Sequence, residues 1–94
     1  MKIGFIGLGV MGAPMAGHLV AAGHRLFTTL NRSPLPEGLA ADVLASPAAV
    51  AASAEVVILM LPETRDVERV LLGPNGVVAG LRAGTIVIDM SSIS

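Results

Sequence analysis

At 94 residues the chain has room for one domain near the lower end of comfortable size. Hydrophobic residues make up 53% and charged residues only 14%. That is more apolar surface than so short a chain easily buries, so part of it is expected to face another domain, a subunit or further strands. A net charge of −1 with two Phe and no Trp or Tyr offers nucleic acid neither an electrostatic footprint nor stacking platforms. The lack of Cys removes disulfides and thiolate zinc sites. Every apolar run is interrupted before membrane-spanning length, and the N-terminus lacks a signal-peptide pattern, so a cytoplasmic protein is expected.

The first expected element is a buried strand over Lys2 to Gly7, rich in Ile and Phe. A helix is expected from Val10 to Ala22, with Met11, Met15 and Leu19 at i, i+4 and i+8. Pro14 falls in its first turn, where amides have no internal partner, and Gly23 supplies a C-terminal glycine. Arg25 to Leu30 reads as a second strand, broken by Asn31-Arg32-Ser33-Pro34. Pro36 to Ala41 is weakly helical, and Asp42 to Ala45 a short third strand. Ser46-Pro47 has the form of an N-cap followed by proline at N1, opening a helix to about Ala54.

Glu55 to Leu61 (EVVILML) is the strongest strand signal, continuous and apolar as in strands buried on both faces. The next helix is expected over Pro62 to Leu72, with Val67, Val70 and Leu71 on its inner side. Gly73 to Gly76 is a turn, Val77 to Leu81 prolongs the connection, and Thr85 to Met90 forms a fifth strand. Strand and helix alternate, which predicts an α/β doubly wound parallel sheet of order 3-2-1-4-5, one Rossmann-type domain over residues 1–94.

Gly7-x-Gly9-x-x-Gly12 follows the first strand and opens the first helix. In that context Gly7 permits a tight turn, Gly9 lets a pyrophosphate lie against bare backbone, and Gly12 lets the helix pack close to the strand. Leu8, Val10 and Met11 lie between them, and free amides at the positive helix end face the anion. The pattern points to a dinucleotide. Its kind is read at the end of the second strand, where an NAD site usually places a carboxylate for the ribose 2′-OH. No carboxylate stands between Lys2 and Glu37; Asn31, Arg32 and Ser33 stand there instead. Arg32 can hold a 2′-phosphate as a planar fork and Ser33 can donate a further bond, so NADP (NADPH) is expected, with NAD the alternative.

"GFIGLGVMGAPMAGHLVAAGH", "MLP", "GPNGV" and "IDMSSIS", in this order, resemble the N-terminal domain of the 3-hydroxyisobutyrate dehydrogenase family of β-hydroxyacid dehydrogenases. The similarity is strongest to its tartronate semialdehyde (2-hydroxy-3-oxopropionate) reductase branch, through "MLPETRDVERVLLGPNGV" and "DMSSIS". The resemblance implies that Met60, Leu61 and Pro62 pass beside the cofactor's ribose and pyrophosphate. It implies Ser92 by the nicotinamide ribose and Ser91 near the substrate. Asp66 matches a position that can approach the adenosine side, although a solvated helix carboxylate is the simpler expectation.

Two departures stand out. Family members commonly place the Asn-Arg pair seven residues after the glycine ending the first helix, whereas Gly23 to Asn31 spans eight; a bulge in "RLFTTL" would absorb the extra residue. The chain also ends at Ser94, before the catalytic lysine, the substrate-carboxylate loop and the helical domain that the resemblance implies. Lys2 lies at the wrong end of its strand to replace that lysine, and His18 and His24 are expected as surface or capping groups. The expected function is therefore NADPH binding for an oxidoreductase acting on a small 2-hydroxy-3-oxo acid, in a homo-oligomeric full-length enzyme, with no catalytic residue within these residues. Alternatives are a 3-hydroxyisobutyrate dehydrogenase or another β-hydroxyacid dehydrogenase, or a non-catalytic Rossmann module.

Overall fold

The computed structural model describes residues 1–8, 12–30, 35, 37–61 and 64–90. Along the chain they form β1 (Lys2–Ile6), α1 (Gly12–Ala21), β2 (Arg25–Thr28), β3 (Asp42–Val43), α2 (Pro47–Ser53), β4 (Val56–Leu59), α3 (Thr64–Leu72), α4 (Val77–Gly80) and β5 (Ile86–Asp89). The five strands make one parallel sheet in the order β3-β2-β1-β4-β5. The expected doubly wound architecture is present.

Alternation along the strands divides the apolar residues between two cores. On the α1 side Ile3, Phe5, Ala16, Leu26 and Ile58 are buried, with Met15 and Leu19 packed against them. The opposite face buries Ile6, Val50, Val57, Leu59 and Leu61 together with Val67 and Val70 of α3 and Val77 of α4. Central strand β1 therefore contributes Phe5 to one core and Ile6 to the other, both fully buried. Each such side chain contributes roughly 1.5–3 kcal/mol by leaving water.

Local signals explain the helix ends. Ser46 has an extended backbone, and its Oγ accepts from the Ala49 N–H at 3.2 Å, with Pro47 at the first helical position of α2. At the end of α1, Gly23 N–H donates to Val20 C=O and His24 N–H to Leu19 C=O, the paired bonds of a Schellman motif.

Three expectations are corrected. Pro36 to Ala41 is not helical among its described residues: Glu37 and Gly38 form a turn, with Gly38 at φ +81°, outside helical space. Val77 to Leu81 is more than connection, because residues 77–80 form a short helix that buries Val77. Four residues are too few to display a helical period in sequence. No bulge interrupts β2, whose register with β1 runs unbroken from Lys2↔Arg25 to Gly4↔Phe27 and with β3 to Thr28↔Val43. The bulge expected in "RLFTTL" is therefore absent from Arg25 to Thr28. Strand ends are otherwise shorter than expected by one or two residues, as parallel pairing stops before the apolar run does.

β5 is a sheet edge, as expected from the sequence, and one of its faces stands exposed, with Ile86 at 58%, Ile88 at 42% and, just after the strand, Met90 at 46%, while Val87 on the other face packs partly buried against the core. It carries no Lys, Pro or bulge to discourage pairing with another chain. Self-association of the chain on its own is the expected result, read as a concentration-dependent rise in sedimentation coefficient. A monomeric profile at high concentration would contradict it.

Candidate functional site

The C-terminal ends of β1, β2 and β4 lie side by side, which is where open α/β sheets bind ligands. Gly7 follows β1 at φ +109°, a conformation strained for any residue with a Cβ. A Cβ there would collide with the Met60 carbonyl after β4 and lie 3.3 Å from Leu61 Cδ2. Gly12 opens α1, and a Cβ on it would collide with the Gly7 carbonyl and stand 3.1 Å from Phe5 Cε1. The first turn of α1 is thus drawn against the end of β1 by the absence of two side chains. The main-chain approach and the direction of the helix start fit an anionic pyrophosphate.

Five residues singled out from sequence for the cofactor lie among those described: Gly7, Leu8, Gly12, Met60 and Leu61. Leu8 and Met60 pack, partly buried, against the α1-side core. Leu61 is buried in the opposite core, and its side chain packs beneath the Gly7 turn. Met60 N–H continues the ladder to Ile6 C=O at 2.9 Å, and Met90 N–H does the same to Leu59 C=O at 2.8 Å. Gly9, Val10, Met11, Asn31, Arg32, Ser33, Pro62, Ser91 and Ser92 lie outside the described residues.

Asp66 corrects an expectation: it is not a solvated carboxylate. Its side chain is 1% exposed, and Oδ1 accepts from Arg69 Nη2 at 3.3 Å, while the arginine stays 56% exposed. The position explains the burial, since Asp66 is one turn N-terminal to Val70 and so on the inner stripe of α3. It also sits in the first helical turn, where a carboxylate meets free amides and the positive end of the dipole.

Thr28 is a polar residue that sequence reading passed over. It is fully buried at the end of β2, and its hydroxyl donates to Phe5 C=O at 2.6 Å. A threonine inside an apolar strand was its only sequence signal. His18 is exposed and His24 half-buried at the far end of α1, away from this edge of the sheet, in keeping with their expected roles. No cluster of three or more metal-binding side chains occurs among the described residues, and no helix there is long and apolar enough to cross a membrane.

Parallel strands, a glycine-tightened turn and a helix start aimed at the strand ends together define a dinucleotide-binding α/β domain. Comparison with known proteins agrees. Residues 2–94 match the family described as the NAD binding domain of 6-phosphogluconate dehydrogenase, and the chain belongs to that family. It is 42% identical over 96 residues to 2-hydroxy-3-oxopropionate reductase of Escherichia coli, covering 100% of this chain and 33% of the relative. It is 45% identical over 94 residues to 3-sulfolactaldehyde reductase of the same species, covering 97% and 32%. Among solved structures, Mycobacterium tuberculosis 3-hydroxyisobutyrate dehydrogenase with L-serine superposes with TM-score 0.83 at 38% identity, covering 99% of this chain and 32% of that one. These relatives bear out the expected similarity to the 3-hydroxyisobutyrate dehydrogenase type. The chain spans about a third of the length of each.

Proposed function

We propose that the chain is the NADPH-binding portion of a reductase of small 2-hydroxy-3-oxo acids, with tartronate semialdehyde as substrate. The observation that carries the cofactor reading is the close main-chain packing at Gly7 and Gly12, where a Cβ on either glycine would collide with a carbonyl and the start of α1 is held against the end of β1. When bound, the nicotinamide supplies hydride. The chain's own part is to seat the pyrophosphate at the start of α1 and to meet the adenine ribose beyond β2. The absence of a carboxylate between Lys2 and Glu37, with Arg32 in its place, supports the phosphorylated cofactor. The substrate reading rests on "DMSSIS" and on 42% identity to a reductase named for 2-hydroxy-3-oxopropionate.

A β-hydroxyacid dehydrogenase with a different substrate is the second reading, favoured by the 45% identity to 3-sulfolactaldehyde reductase. The fluorescence of NADPH tests cofactor binding directly in this chain. Saturable, weak binding of NADPH, tighter than NADH, is expected, together with no consumption of NADPH when tartronate semialdehyde is added. Steady consumption would place a catalytic lysine's role within these 94 residues and overturn the division of labour proposed. Lack of any dinucleotide binding would overturn the cofactor reading itself.

A further inference from the structure

We propose that Thr28 is a positioning residue that sets selectivity for the cofactor's 2′-phosphate, by ending the β1–β2 seam one rung early. This rests on the reading that residues beyond β2 meet the adenine ribose. Arg25 N–H donates to Met1 C=O at 3.0 Å, and pairing then runs in step through Lys2↔Arg25, Ile3↔Leu26 and Gly4↔Phe27. Continued by the same offset, the next rung would put the Thr29 N–H on the Phe5 C=O. The Thr28 hydroxyl holds that buried oxygen instead, at 2.6 Å, and β1–β2 pairing stops.

The interruption is confined to this seam. On its other edge β2 still pairs at Thr28↔Val43, and Leu44 N–H reaches Thr28 C=O at 2.7 Å. β1 continues beside β4 to Ile6↔Leu59. A single side chain therefore separates the two strands at the level where Thr29 and half-exposed Leu30 lead into Asn31-Arg32-Ser33. A hydroxyl that substitutes for a main-chain amide releases the strand at this point.

Thr28→Val keeps the shape and removes the donor. The buried Phe5 carbonyl then needs another partner, and the Thr29 N–H is next in line. β2 would gain a rung, and the residues that follow would be drawn toward β1. The expected result is a fall of about tenfold in the ratio of NADH to NADPH dissociation constants, on the scale of one hydrogen bond. Slower amide exchange at Thr29 should accompany it. Thr28→Ser, which keeps the donor, should restore the ratio to near that of the parent. Should the valine variant fail to fold, Thr28→Ala is read by the same ratio. An unmoved ratio, or equal weakening of both cofactors, would reduce Thr28 to a structural residue and overturn the proposal alone. A parent chain that binds neither cofactor would overturn the reading beneath it as well.

Discussion

Gly7→Ala is expected to destabilise the fold by about 4 kcal/mol, whereas Gly17→Ala is expected to stabilise it by up to about 1 kcal/mol. The two substitutions add the same methyl group. At Gly7 the methyl meets the Met60 carbonyl and Leu61 Cδ2, on a backbone at φ +109°. A conformation that L-residues avoid costs roughly 1–3 kcal/mol, and crowding a packed site roughly 1–3 more. At Gly17, within α1, the added Cβ meets nothing within 4 Å. There the helix propensity of alanine over glycine, about 0.8–1 kcal/mol, acts unopposed. Urea denaturation of both variants measures the contrast. Equal midpoints would mean that the turn after β1 relaxes freely, and the tight cradle would lose its physical basis. Gly7→Ala should also abolish cofactor binding at temperatures where the chain stays folded, because the Gly7 carbonyl and the start of α1 are positioned together.

Arg32→Ala is expected to weaken NADPH binding by about ten- to a hundredfold while leaving NADH almost unchanged. A hydrogen bond to a charged group contributes roughly 1.5–3 kcal/mol net, which converts to that range. NADH has no 2′-phosphate, so nothing is lost. Adding Asn31→Asp should repel the phosphate, offer the ribose hydroxyl an acceptor and move preference toward NADH. Dissociation constants for both cofactors must be compared at one salt concentration, because a phosphate contact is screened. Equal weakening of both cofactors would show that Arg32 does not read the phosphate. Leu30 or Asn31 would then be the residue expected at the ribose.

The strand order was legible because β1, β2, β4 and β5 announce themselves as short apolar runs separated by helix and turn signals. The turn around Gly7 was legible because few residues other than glycine suit its conformation. Asp66 was misread because its charge argued for solvent, although its spacing of four from Val70 placed it on the buried stripe of α3. Thr28 was invisible for a different reason. Sequence pattern specifies which face a strand residue takes, but not whether its hydroxyl displaces a rung of the ladder. The division between β1 and β2 is a property of three-dimensional register, and register is set by partners distant along the chain.

The central strand gives the site a thermodynamic consequence. Phe5 anchors one core, Ile6 the other, and Gly7 follows at once, so a molecule seated at the turn braces both halves of the domain together. Anything bound only by the folded form adds about 2.7 kcal/mol of stability at a concentration a hundred times its dissociation constant. The melting temperature of the chain should therefore climb with cofactor concentration. Proteases act on transiently opened molecules, so resistance to them should climb in parallel. Inside a cell, the lifetime of this polypeptide would then track the supply of the nucleotide it holds.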